Sequence, residues 1–71
     1  MAMYAGLTDD HARRKQEHGN PKDWKVIGPF SNEEDARAWE GRMHSAGYRG
    51  DVGGRGWLYG YTYTITPQTR E

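Results

Sequence analysis

Trp57-Leu58-Tyr59-Gly60-Tyr61-Thr62-Tyr63-Thr64-Ile65 is the stretch on which the fold turns. Successive side chains of a strand point to opposite faces of a sheet. Trp57, Tyr59, Tyr61, Tyr63 and Ile65 therefore share one face, and Leu58, Gly60, Thr62 and Thr64 share the other. Pro67 closes the segment. Such a row of rings is either core or a platform on which bases stack, as in single-strand binders. Core is the simpler reading, because the chain has few aliphatic residues to bury: Leu7, Val26, Ile27, Val52, Leu58 and Ile65, with Phe30 beside them. Each aromatic ring buries roughly 150–250 Å², so three tryptophans and five tyrosines can replace the missing aliphatics.

The rest of the composition sets bounds. Seventy-one residues make one small domain with a thin stability margin, to which dimerisation would add support. There is no cysteine, hence no disulfide and no thiolate zinc site. No segment approaches the roughly 18 apolar residues of a membrane span. No charged start leads into an apolar run, so a secretory leader is not expected and the cytoplasm is the expected compartment. Ten basic and ten acidic residues cancel. A net charge of zero argues against strong non-specific binding to nucleic acid, which needs many phosphate contacts. A polyanion site would have to be a local patch.

Working outward, residues 1–7 alternate with Met1, Met3, Ala5 and Leu7 on one face, the pattern of a strand. Asp9 and Asp10 are candidate N-caps, Gly19 is a good residue after a helix end, and Pro21 follows, so residues 11–18 should form a helix of two turns. Residues 24–30, W-K-V-I-G-P-F, read as a short strand stopped by Gly28-Pro29. S-N-E-E at 31–34 reads as a capping box with Ser31 at the cap. Ala36, Trp39, Met43 and Ala46 then form an apolar helical stripe that Gly47 ends. Residues 48–56 read as a glycine-rich loop. The expected fold is α+β in the order β-α-β-α-β, with a three-stranded, mostly antiparallel sheet and two helices. It occupies residues 1–67, and residues 68–71 are expected to fray.

The first helix carries the chemistry. His11, Arg14, Lys15 and His18 recur at i, i+3, i+4 and i+7, which lines one helix face with basic and imidazole groups. The helix starts just after Gly6, where a missing side chain lets a ligand approach, and Tyr4 lies on the same strand face as Gly6. A phenol, an arginine and a histidine suit phosphate, because arginine grips it bidentately and tyrosine or histidine can move a proton. Taken alone, the helix is more simply a solvated face with an Arg13–Glu17 pair.

The spacing of Tyr4-Ala5-Gly6, Thr8, Asp10, Arg13-Arg14 and His18 resembles the second half of the GIY-YIG endonuclease signature. In that family a Y-[IV]-G strand end leads through a Thr or Ser and an Asp or Asn cap into a helix. The helix bears an Arg ten residues after the Tyr and commonly a His fourteen after it. E-E-D-A-R-A-W-E-G at 33–41 resembles the later segment that carries the family's metal-binding Glu, and puts Glu40 in that place. The likeness spans residues 4–40, about half the chain. It lacks the family's first strand before Tyr4, and Gly60–Ile65, G-Y-T-Y-T-I, would supply it at the far end if that strand pairs with the first, as in a circular permutation. Either Tyr61 or Tyr63 would then stand in for the missing tyrosine. The resemblance implies hydrolysis of a DNA or RNA phosphodiester. Tyr4 would be the base or hold the water, Arg14 would stabilise phosphoryl charge, His18 would orient the tyrosine or phosphate, and Glu40 would hold Mg²⁺. Gly6, Thr8, His11, Arg13 and Lys15 would contact the substrate.

Plainer roles stand beside these. Glu40 can pair along its helix with His44 or Arg37. His11 and His18 lie two turns apart with no third ligand in sight, so a zinc site is not expected. The loop G-D-V-G-G-R-G at 50–56 lacks the G-K-[ST] of a P-loop, and its G-x-x-G matches the KH loop only formally. Three classes of function follow: a metal-dependent nuclease, a nucleic-acid-binding module without catalysis, and a protein-interaction or dimerisation domain.

Overall fold

The computed structural model describes residues 2–50 and 56–70. The elements run β1 (Met3–Thr8), α1 (His11–Glu17), β2 (Lys25–Ile27), α2 (Glu33–Ser45) and β3 (Tyr59–Thr64). The expected α+β order is the one observed, and the sheet is wholly antiparallel among its three strands. Its order is β1-β3-β2, with the tyrosine strand in the centre.

The register explains why. β3 pairs Tyr63 with Tyr4, Tyr61 with Gly6 and Tyr59 with Thr8 on one face. On the other it pairs Thr64 with Met3, Thr62 with Ala5 and Gly60 with Leu7. β2 flanks β3 through Lys25–Thr62, Val26–Tyr61 and Ile27–Gly60. The tyrosine face is covered by α1, whose His11 ring meets Tyr59 edge-on at 4.9 Å. The opposite face is covered by α2. A Cβ at Gly60 would lie 2.7 Å from the Trp39 ring, so glycine here lets the indole lie flat on the sheet. One helix on each side of a three-stranded sheet gives three layers.

Both helices are capped locally at each end. Asp10 accepts from Arg13 N–H at 3.0 Å, and Asn32 accepts from Asp35 N–H at 2.8 Å. The cap of α2 is thus Asn32 rather than Ser31, an equally good cap one residue on. Each helix ends in a Schellman motif on a left-handed glycine. After α1, Asn20 N–H donates to Lys15 C=O and Gly19 N–H to Gln16 C=O, with Gly19 at φ +84°. After α2, Tyr48 N–H donates to Met43 C=O and Gly47 N–H to His44 C=O, with Gly47 at φ +101°.

Three expectations shift. β2 stops at Ile27, because Gly28 turns to φ +116° and Pro29 offers no N–H. The buried stripe of α2 is Ala36 and Glu40, with Trp39 and Met43 half-buried and Ala46 exposed. Residues 68–70, read from the sequence as a frayed tail, instead fold back on α1: Arg70 N–H donates to His18 C=O at 2.9 Å. On the other side of β1, Arg49 N–H donates to Met3 C=O and Ala5 N–H to Arg49 C=O, which covers that edge. Residues 51–55, which include all of the G-x-x-G at 50–53 except Gly50, lie outside the described residues.

Candidate functional site

Every part of the sequence-predicted site except Glu40 lies on the tyrosine face or at its α1 end. Tyr4 and Tyr63 stack at 5.2 Å between ring centroids, as cross-strand partners should. Tyr61 lies over Gly6, where a Cβ would come 2.5 Å from its hydroxyl oxygen. The missing side chain is what admits that phenol. Trp24, just before β2, stacks on Tyr61 at 4.5 Å. His18, at the C-cap of α1, enters this cluster from above, 4.8 Å from the Tyr4 ring centroid.

His18 is therefore not part of an exposed basic face. Only 4 % of it is accessible. Its Nε2 lies 2.9 Å from Tyr61 Oη and its Nδ1 2.8 Å from Tyr63 Oη. Nδ1 is also hydrogen-bonded to the Arg70 carbonyl, to which Tyr63 donates its O–H at 3.1 Å. The tyrosine ring row is core, yet a core built round a polar network whose members are all hydrogen-bonded, as burial demands. Burial pushes the Tyr61 hydroxyl far above the ordinary phenol range. Tyr4 and Tyr63 add to this, and the nearby Arg14 guanidinium opposes it. At neutral pH Tyr61 is a hydroxyl, not a phenolate.

The remaining α1 residues divide by face. His11 and Lys15 are half-buried against the sheet, one turn apart with His18. Arg13 and Arg14 are exposed, and both reach Glu17, at 3.3 Å and 3.1 Å. They border a cleft of about 270 Å³ with Thr8, Asp9, Asp10, Glu17 and Gly56. Its carboxylates are partly committed. Asp10 caps α1, and Asp9 accepts from the backbone N–H groups of Trp57 and Leu58. Exposed Arg–Glu pairs contribute little stability, so either guanidinium can exchange Glu17 for a phosphate oxygen at small cost.

Glu40 stands apart. It is 4 % accessible and lies on α2, on the Trp39 side of the sheet, with Arg37 Nη1 3.5 Å from its carboxylate. The sheet separates it from Tyr4, Arg14 and His18. Among the described residues there is no group of three or more His, Asp or Glu placed to hold a metal ion, and no helix long and apolar enough to cross a membrane. The sequence reading missed Trp24 and the Arg70 carbonyl as members of the cluster. The face shared by Tyr61 and Tyr63 was a visible signal for the rest of it.

Set against protein-family models, curated proteins and solved structures, the chain finds no match in any of the three comparisons.

Proposed function

We propose that this chain is a nucleic-acid-binding domain that resembles the GIY-YIG layout but holds phosphate without cutting it. The observation that carries the reading is the position of Glu40: buried on the α2 side and engaged by Arg37, across the sheet from Tyr4, Arg14 and His18. A hydrolytic site of the kind the resemblance implies needs its metal-bearing carboxylate beside the phosphate. The antiparallel pairing of β3 with β1 supports the permuted arrangement that the resemblance requires. Tyr61 is the better stand-in for the absent tyrosine, since its hydroxyl lies over Gly6 and feels the Arg14 charge. Arg13 and Arg14, exposed at the cleft, are the phosphate contacts.

The test is fluorescence anisotropy with a short labelled DNA duplex and a labelled single-stranded RNA, each at several salt concentrations, with Mg²⁺ and with EDTA. Salt-sensitive binding of either, equal in both buffers and without cleavage on a gel, is the expected result. Mg²⁺-dependent cleavage lost in both Arg14→Ala and Glu40→Ala would replace this reading with a nuclease. No binding at low salt would remove nucleic acid altogether.

A further inference from the structure

Both ring nitrogens of His18 are hydrogen-bonded, and the C-terminal turn supplies a partner of Nδ1. Residues 66–70 form a compact turn held by its own bonds. Thr66 N–H donates to Thr69 Oγ1 at 2.9 Å, Thr69 Oγ1 donates to Thr66 C=O at 3.0 Å, and Thr69 N–H donates to the same carbonyl at 3.1 Å. This turn lies on the end of α1. Arg70 N–H reaches the His18 carbonyl, and Gln68 C=O lies so close to Gly19 that a Cβ there would stand 2.6 Å from it. The Arg70 carbonyl then faces both His18 Nδ1 and the Tyr63 hydroxyl.

A carbonyl oxygen only accepts hydrogen bonds. Nδ1 must therefore carry a proton to face it, and Tyr63 must turn its O–H toward the same oxygen. In a neutral imidazole the other nitrogen is then an acceptor, so Nε2 receives the O–H of Tyr61. Tyr61 has one hydroxyl proton, and this arrangement commits it to His18.

We infer that residues 66–70 are a strap that sets the tautomer of His18, and through it the direction of the Tyr61 hydroxyl beside Tyr4. With the strap seated, imidazole carries its proton on Nδ1 and the Tyr61 O–H points to Nε2. With the strap displaced, Nδ1 loses its carbonyl partner, the proton is free to move to Nε2, and Tyr61 must rotate its O–H away and accept instead. A change at the C-terminal end of the chain is thus transmitted to the floor of the tyrosine face through one imidazole. The inference is independent of whether nucleic acid binds.

Two-bond ¹H–¹⁵N spectra of histidine-labelled full-length protein at neutral pH report the tautomer directly, with His11 and His44 as internal references. The expected result is a pure Nδ1–H signature for His18. It is lost to a mixture in full-length Gly19→Ala, whose new methyl displaces Gln68. Thr69→Val, which loosens the turn without touching the cluster, gives the same loss and serves if Gly19→Ala does not fold. A wild-type His18 in the Nε2–H or doubly protonated form would overturn the inference. So would a pure Nδ1–H signature retained in the folded variant.

Discussion

The Nε2 atom of His18 lies 2.9 Å from the hydroxyl oxygen of Tyr61, across 43 positions of sequence. The bond ties the end of α1 to the central strand inside a cluster where both residues are buried. Tyr61→Phe keeps the ring and its stacking on Trp24 but leaves Nε2 without that partner. A buried polar atom stripped of its bond costs about 1–3 kcal/mol. Urea unfolding should show a loss of that size with little change in slope. An unchanged midpoint would mean that water replaces the hydroxyl and that the bond is not a determinant of the fold.

Gly6 and Gly60 occupy opposite faces of the sheet, and each lies under an aromatic ring. A Cβ at Gly6 would meet Tyr61 at 2.5 Å from Oη and 2.6 Å from Cζ. Tyr61 is only 3 % accessible and pinned by His18, so it has nowhere to go. A Cβ at Gly60 would meet the Trp39 ring at 2.7 Å, but Trp39 is half-buried and can tilt outward. Overpacking costs about 1–3 kcal/mol. Gly6→Ala should fall at the upper end of that range and Gly60→Ala at the lower, by thermal or urea denaturation. The reverse order would show that Trp39, not Tyr61, is the fixed ring.

These two glycines also show what was legible in the chain. Alternation located β1 and β3, and the tyrosines declared a shared face, because strand periodicity is written in consecutive residues. The helix ends were legible too, through Asp10, Gly19 and Gly47. What could not be read was long-range. His18 looked like part of a basic face, because the groups that bury it are Tyr61, Tyr63 and the Arg70 backbone, far along the sequence. Glu40 entered the candidate site through the resemblance of its local segment, E-E-D-A-R-A-W-E-G, and a local segment does not say which face of the sheet its helix covers. In the fold, Ala36 one turn earlier is buried too, and Arg37 engages the charge.

Tyr61 sets an alkaline limit on stability. Its hydroxyl titrates above the ordinary phenol value because burial disfavours the phenolate. Its pKa is therefore higher in the folded state than in the unfolded state, where it is about 10. Stability from this group is complete below about pH 10 and declines as pH rises further, since only the unfolded chain releases the proton easily. Urea midpoints should hold steady toward about pH 9 and then fall. Tyr61→Phe should flatten that fall. An equally steep fall in the variant would assign it to other groups.

Asp23 acts at the other end of the scale. Its carboxylate accepts from Thr64 N–H at 3.0 Å through each oxygen and from the Thr64 hydroxyl, which anchors the entry to β2 against the end of β3. These bonds, the hydroxyl's first, hold its pKa below the usual carboxylate value. A depressed folded pKa stabilises above the unfolded value, near 4, and that contribution disappears as pH falls through the folded pKa. Asp23→Asn should therefore be less stable than wild type at neutral pH, with the two curves converging in acid. A constant gap down to the acid transition would show that charge on Asp23 is immaterial and only its shape matters.

Arg14 and Glu40 separate binding from folding, because the sheet lies between them. Arg14 is exposed at the cleft and its pair with Glu17 is a surface one, so Arg14→Ala should change stability by no more than about 0.5 kcal/mol. If Arg14 contacts phosphate, the same variant should weaken nucleic-acid binding and lower the salt slope by about 1. Glu40 is buried beside Arg37, and Glu40→Gln removes a charge-assisted bond there, at a cost of about 1–3 kcal/mol. It should leave anisotropy curves and their salt slope where they were. Loss of binding in Glu40→Gln at a temperature where that variant is fully folded would bring Glu40 into the site after all, and would make metal-dependent cleavage the next thing to assay. Loss of stability in both with loss of binding in neither would leave the cleft without a ligand.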